Sequence, residues 1–141
     1  MAARGRRKTD ASKQDLDKLQ GTWLTVSLVH NGRTLYDGKK PPDDSAARLV
    51  YRGNQWIVKV VEKTVARGMF KIDARKKPKQ IDVLDETGMK NEMTKLGIYE
   101  IKGDTYKFCL ASAGKRRPGK FESKEGSGVS LGVSKRQKQK P

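Results

Sequence analysis

The stretch LQGTWLTVS (residues 19–27) contains the first tryptophan of the chain, and a glycine stands two residues ahead of it. Residues 22–29 are rich in Thr, Val and Leu, a composition typical of a β-strand. Glycine loses the most conformational entropy on folding and offers a strand no side chain to pack. We therefore expect Gly21 to be needed for the backbone conformation that leads the chain past Trp23, and not for packing.

The segment before this stretch predicts a short helix. Residues 10–20 carry Leu16 and Leu19 three positions apart, with Asp10 or Ser12 as a candidate N-cap and a glycine directly afterwards. Beyond that glycine the helical period disappears.

Eight short runs follow, each rich in β-branched or aromatic residues and bounded by turn residues. They are residues 22–29, 46–52, 55–61, 65–72, 80–85, 96–102, 105–111 and 128–136. RGNQ (52–55) and KGDT (102–105) join two pairs of these runs and have the Gly and Asn or Asp that a two-residue hairpin turn needs. Both are predicted hairpins.

Alternation within the runs indicates that one face of the sheet is buried. Apolar residues at alternate positions are Tyr106, Phe108 and Leu110 in one run and Val129, Leu131 and Val133 in the last. Eight antiparallel runs without intervening helices favour a closed barrel or a sandwich.

Length and charge suit one folded domain with basic ends. The 141 residues allow a single modest core, and 32 Lys and Arg against 16 Asp and Glu give a net charge of +16. Such an excess favours anionic partners. The predicted organisation is a flexible basic arm (1–11), a barrel domain (12–136) and a flexible basic tail (137–141).

Cys109 is the only cysteine in the sequence, which leaves no intramolecular disulfide and suits a reducing compartment. The first thirty residues contain no apolar signal region, and no run approaches the roughly 18 apolar residues of a membrane span. We therefore expect a cytoplasmic protein without a membrane span.

An ordered series of short motifs over residues 19–136 resembles the lipocalin-like domain family that is abundant in planctomycete bacteria. The motifs are LQGTW (19–23), NG (31–32), RGMFKID (67–73), PKQID (78–82), GIYE (97–100), GDTYKFCLA (103–111), RPGKF (117–121), GSG (126–128) and KR (135–136).

The resemblance implies an all-β fold: an eight-stranded antiparallel up-and-down barrel with a short N-terminal helix. It also implies that Trp23 plugs the closed end of the barrel and that Lys135 or Arg136 covers its ring in a cation–π contact. Gly21 would let the entering chain pass close beneath the plug. No activity follows from the resemblance.

Candidate catalytic residues are few. His30 is the only histidine, so neither a histidine metal site nor a catalytic triad has the partners it needs. Cys109 alternates with strand residues and is expected to be a half-buried structural thiol rather than a nucleophile. Asp82, Asp85 and Glu86 are expected to be solvated loop acids. We predict no enzyme, no metal site and no cofactor.

Two basic loops are candidate anion-binding elements. The residues are Arg75, Lys76, Lys77 and Lys79 in one loop and Lys115, Arg116, Arg117 and Lys120 in the other. Together with the basic ends they could bind phosphates, while a solubilising surface is the alternative. Aromatic candidates for base stacking are only Tyr36, Tyr51 and Phe121, so any nucleic-acid contact is expected to be backbone-directed.

The barrel interior is the second candidate site. The residues that could line it are Trp56, Phe70, Tyr99, Tyr106 and Phe108. An eight-stranded barrel is either filled by its own side chains or holds one small ligand, and the sequence leaves both open. Two long connections, 30–45 and 112–127, are expected to frame the open end.

Two functional hypotheses follow. The first is a non-enzymatic binding module for a small, partly apolar ligand at the open barrel end. The alternative is an electrostatic adaptor that engages nucleic acid or an acidic protein through its arms and basic loops.

Overall fold

The computed structural model describes residues 8–37, 47–61, 63–84 and 94–137. Within these ranges the chain forms one α-helix and nine β-strands. The elements are α1 (Lys8–Leu19), β1 (Gly21–His30), β2 (Arg33–Asp37), β3 (Arg48–Arg52), β4 (Gln55–Val60), β5 (Lys63–Asp73), β6 (Lys79–Leu84), β7 (Lys95–Lys102), β8 (Thr105–Leu110) and β9 (Ser130–Arg136).

Eight of the strands, β1 and β3–β9, form a closed antiparallel barrel. Each strand from β3 to β9 pairs with the next, and β1 closes the ring by pairing with β3 through residues 21–24 and with β9 along most of its length. The predicted all-β barrel with a short N-terminal helix is confirmed. The strand β2 is additional and pairs with the far half of β1.

Both predicted hairpin turns are present. Gly53 lies between β3 and β4 with φ of 60°, and Gly103 lies between β7 and β8 with φ of 57°. These left-handed conformations are the ones that glycine adopts without steric cost. Both turns lie at the end of the barrel that β1 enters.

The strand β2 was not predicted and lies inside the connection 30–45 that was expected to frame the opening. The preceding turn residues Asn31 and Gly32 have φ of 54° and 79°, as a two-residue hairpin requires. The Asn-Gly pair was therefore a readable hairpin signal. The rest of that connection, residues 38–46, lies outside the described residues.

The orientation of β9 corrects the sequence prediction. Gly132 and Ser134 are buried, whereas Leu131 and Val133 are only half-buried on the other face. The reason is the space inside the barrel: a Cβ on Gly132 would lie 2.4 Å from the ring of Phe108. Large aromatic residues on β8 thus require small residues opposite them on β9.

The helix begins earlier than predicted, at Lys8, so residues 8–11 belong to α1 and not to a flexible arm. Asp10 lies within the helix, and Ser12 is not its N-cap. Instead, Ser12 Oγ accepts a hydrogen bond of 3.0 Å from the backbone N–H of Ala74 in the β5–β6 turn. Residues 1–7 and 138–141 of the predicted arm and tail lie outside the described residues.

Among the described residues, no helix is long and apolar enough to cross a membrane.

Candidate functional site

Trp23 plugs the end of the barrel that α1 covers. Its side chain is fully buried, and its indole N–H donates a 2.8 Å hydrogen bond to the carbonyl of Leu19 at the end of the helix. The guanidinium of Arg136 lies 4.2 Å from the centre of the ring. Arg136 therefore takes the position that the resemblance implied for a basic residue, while Lys135 is exposed and bonds to Thr105.

Arg136 also ties the last strand to the first helix. Its guanidinium donates hydrogen bonds to the carbonyls of Lys18 and Gln20 and pairs with the exposed carboxylate of Asp104. The last carbonyls of a helix have no partners within it, so Arg136 caps α1. Gly21 has φ of 110° and turns the chain from α1 into β1, which explains the glycine ahead of Trp23.

A buried carboxylate completes this closed end. Asp15 on α1 is 3% exposed, and its Oδ2 accepts hydrogen bonds from the hydroxyl of Tyr99 at 2.8 Å and from Lys79 at 2.9 Å. Burial, and then the Asp15 carboxylate, raises the pKa of Tyr99 well above its usual range. Tyr99 and Lys79, predicted as ligand-lining and anion-binding residues, thus both contact Asp15.

Two tyrosines meet in the middle of the barrel. Tyr51 on β3 and Tyr106 on β8 are buried, and their hydroxyl oxygens lie 2.8 Å apart. Burial raises the pKa of both hydroxyls. The ring of Tyr106 also packs on Trp23, with ring centres 5.5 Å apart. The pair therefore lies directly above the plug.

Above the tyrosine pair the barrel contains a cavity of about 480 Å³. Tyr51 and Tyr106 form its floor, and the exposed residues Arg67 and Lys95 border its mouth. The wall is apolar and consists of Leu49, Trp56, Val58, Ala66, Ile81, Val83, Leu84, Phe108 and Leu110. The interior is thus filled at the end covered by α1 and hollow at the other.

Three of the five predicted lining residues border this cavity: Trp56, Tyr106 and Phe108. The indole N–H of Trp56 donates a 3.0 Å hydrogen bond to the carbonyl of Leu84, which holds the ring against the wall. Phe70 packs edge-on against Tyr51, with ring centres 4.9 Å apart, and Tyr99 lies at the closed end. Neither Phe70 nor Tyr99 borders the cavity.

Sequence reasoning missed Tyr51 as a lining residue and considered it for base stacking. Burial between Phe70 and Tyr106 excludes that role. The signal that could have placed it is the alternation of Leu49 and Tyr51 in β3, since both side chains face the interior.

The connection between β8 and β9 lies against the outer wall of the barrel, whereas it was predicted to frame the opening. The thiol of Cys109 faces the carbonyls of Lys120 and Glu122 at 3.4 and 3.5 Å, and Lys107 lies 4.6 Å from the ring of Phe121. Cys109 is fully buried, and burial raises the pKa of its thiol. The sequence predicted a half-buried structural cysteine, whereas Cys109 is fully buried between β8 and this connection.

Arg117 fastens this connection to β6 and β7. Its guanidinium lies 2.7 Å from the Asp82 carboxylate and donates to the carbonyls of Ile81 and Gly97. Asp82 is therefore a half-buried strand residue and not the solvated loop acid that was predicted. Asp85 and Glu86 lie outside the described residues.

The eight predicted anion-binding cations do not form one site. Arg117, Lys79 and Arg75 bond to Asp82, Asp15 and Asp73 respectively. The other five are exposed: Lys76, Lys77, Lys115, Arg116 and Lys120. The loop with Lys76 and Lys77 lies at the closed end, whereas the connection with the other three leaves β8 at the open end.

No group of three or more metal-ligating side chains occurs in the described part of the chain. His30 is exposed, and its Nδ1 lies 2.7 Å from Ser130 Oγ.

Comparison with known proteins found no match: no family model, no curated protein and no solved structure matches this chain.

Proposed function

We propose that this protein is a non-enzymatic binding module that holds one small, partly apolar ligand in the barrel cavity. The observation that carries the proposal is the 480 Å³ space above Tyr51 and Tyr106. Its volume falls within the roughly 300–1,000 Å³ of small-molecule sites, and its apolar wall with few polar groups is typical of them.

The wall supports a site that stays open. Val58 and Ala66 lie opposite each other on β4 and β5, where larger side chains would fill the space. Trp56, the largest wall residue, is held by its bond to Leu84. Burial of apolar ligand surface would provide about 25 cal/mol per Å².

We propose membership of the lipocalin-like family and a cytoplasmic location as parts of this function. The pairing of β1 with β9 and the position of Arg136 over Trp23 support the first. The single buried thiol supports a reducing compartment.

The test is titration with phenylnaphthylamine, an uncharged apolar probe that fluoresces when it leaves water. Its lack of charge separates cavity binding from attraction to the cationic surface. We expect saturable binding of one probe per chain, and we expect Val58→Trp to abolish it by filling the cavity.

Ile57→Trp is the matched control, because Ile57 neighbours Val58 on β4 but faces outward. It should leave probe binding unchanged. Absence of saturable binding to the folded wild-type protein, or equal loss in both variants, would contradict the proposal.

A second candidate function is an electrostatic adaptor for nucleic acid or an acidic protein. The observation in its favour is that Lys76, Lys77, Lys115, Arg116 and Lys120 are exposed and form no ion pair with the described residues. Together with the basic residues of the ends they could contact phosphates without reading bases.

The adaptor predicts that affinity for a generic duplex falls steeply as salt increases, with a log–log slope of about −0.9 per phosphate contacted. Deletion of residues 1–7 and 138–141 leaves Arg136 and the barrel in place and should make the slope shallower. An unchanged slope would show that residues 1–7 and 138–141 do not contact the phosphates. If the full chain binds neither a duplex nor polyglutamate, the adaptor hypothesis is excluded.

A further inference from the structure

The tyrosine pair has one hydroxyl proton more than its own hydrogen bond uses. Tyr51 and Tyr106 together carry two hydroxyl protons, and only one can lie between the two oxygens, which are 2.8 Å apart. No other acceptor contacts either hydroxyl in the described part of the chain. One donor is therefore left over in the interior.

The position of this donor is fixed by three rings. Tyr106 is held between Trp23 below it and Phe108, with ring centres 5.5 and 5.7 Å away, and Tyr51 is held by Phe70. The two tyrosine side chains reach the interior from β3 and β8 and meet at the floor of the cavity.

The rest of the deep wall offers a ligand no hydrogen bond. The indole N–H of Trp56 already donates to Leu84, and the charged lining residues Arg67 and Lys95 are exposed at the mouth. Any polar atom of a ligand that reaches the floor thus has only the tyrosine pair as a partner among the described residues.

From this geometry, and on the basis of the proposed cavity function, we infer that the Tyr51–Tyr106 pair selects neutral apolar ligands that carry a hydrogen-bond acceptor at one end. A carbonyl or hydroxyl oxygen enters first and accepts the unused proton. The apolar body of the ligand then lies against the wall formed by residues such as Val58 and Leu110.

A neutral end fits better than a carboxylate. Transfer of a carboxylate to an apolar interior is very costly unless the charge is paired, and a single hydroxyl donor does not supply a counter-charge. A tyrosine hydroxyl is protonated at neutral pH even with its ordinary pKa near ~10, and burial raises the pKa of both hydroxyls further. The pair is therefore available as a donor. A ligand that carries an acceptor gains one net hydrogen bond at the floor of the cavity, whereas a ligand without one gains none.

The test compares two ligands that differ only in this acceptor, acetylnaphthalene and ethylnaphthalene, as competitors of bound phenylnaphthylamine. In the wild-type protein we expect the ketone to compete about fivefold more strongly, which is the effect of one ordinary net hydrogen bond. In Tyr51→Phe/Tyr106→Phe the preference should disappear or reverse.

The double variant is designed to fold, because it removes both partners of one hydrogen bond and leaves neither unpaired. Circular dichroism and binding of phenylnaphthylamine check that the barrel and its cavity persist. The carbonyl stretch of bound acetylnaphthalene is a second measurement, which needs no variant: in the wild-type protein it should shift to lower frequency than in an alkane.

The outcomes separate this inference from the proposed function. Binding of phenylnaphthylamine with equal or stronger competition by ethylnaphthalene would overturn the inference alone. A ketone preference that persists in the double variant, or a carbonyl band at its alkane position, would do the same. Failure of phenylnaphthylamine to bind the wild-type protein would overturn both.

Discussion

The two ends of the barrel use similar residues for different purposes. At the end covered by α1, Trp23, Asp15 and Arg136 are each bound by several partners from distant parts of the chain. At the other end, Trp56 borders a cavity of about 480 Å³. One tryptophan therefore fills its end of the barrel, while the other leaves space beside it.

This difference indicates that one end of the barrel stabilises the fold, while the other end provides space for a ligand. Buried polar groups stabilise a fold only when they are paired. Among the described residues, every buried side-chain nitrogen and oxygen atom at the closed end has a hydrogen-bond partner. Between the two ends, the Tyr51–Tyr106 pair has one hydroxyl proton without an acceptor among the described residues. We therefore expect substitutions at the closed end to change the free energy of unfolding and those in the cavity to change ligand binding.

The largest expected effect is that of Trp23→Ala. Loss of a fully buried indole should lower the free energy of unfolding by about 3–5 kcal/mol. The matched change Trp56→Ala should cost less, because Trp56 is only partly buried and already borders the cavity. Urea unfolding followed by circular dichroism measures both, and similar losses would erase the proposed difference between the ends.

Removal of the buried carboxylate comes next. Asp15→Ala leaves the buried hydroxyl of Tyr99 without its acceptor and should cost about 2–3 kcal/mol. Adding Tyr99→Phe should restore part of that loss, since the unpaired hydroxyl is then gone. Asp104→Ala is the control: Asp104 is an exposed partner of Arg136, and its loss should cost less than about 1 kcal/mol.

The smallest expected effect, counted for each tyrosine, is the decrease in the free energy of unfolding at alkaline pH. The folded protein holds the hydroxyl protons of Tyr51, Tyr99 and Tyr106 above the usual tyrosine pKa, whereas the unfolded chain releases them near pH ~10. Above that pH the unfolded state binds fewer protons, so stability falls as pH rises, by about 1.4 kcal/mol per pH unit for each tyrosine.

The double variant Tyr51→Phe/Tyr106→Phe isolates this contribution. Lysine deprotonation affects both proteins in the same way, so the difference between their stability curves reports the pair. The variant should lose stability more slowly between pH 10 and 11, by about 2 kcal/mol over that unit, because the unfolded tyrosines are still half protonated at pH ~10. Parallel curves would show that water reaches the pair and that its pKa values are ordinary.

Much of the barrel could be predicted from local sequence. The runs of β-formers and the Gly-containing turns at residues 53 and 103 placed the strands that form the barrel to within about two residues. The strand β2 was missed even though Asn31-Gly32 signalled its hairpin. The face of β9 was predicted wrongly, because Gly132 is small to fit Phe108 on another strand.

The candidate site was less predictable. Alternation placed Trp56, Tyr106 and Phe108 on the inner face, and these residues do border the cavity. Alternation could not show that Tyr99 and Lys79 bond to Asp15, because this carboxylate lies on a helix 84 residues before Tyr99 and 64 before Lys79.

The amino-acid sequence alone was sufficient to predict most of the strands, two of the hairpin turns and several inward-facing aromatic residues. Strand period and turn conformation depend on neighbouring residues, which the sequence shows directly. The pairing of β1 with β9, the cavity at one end and the Tyr51–Tyr106 contact depend on how eight strands close around a limited volume. The Tyr51–Tyr106 contact joins residues 55 positions apart, and the pairing of β1 with β9 brings together Thr25 and Ser134, which are 109 positions apart. Only the folded chain brings such residues into contact.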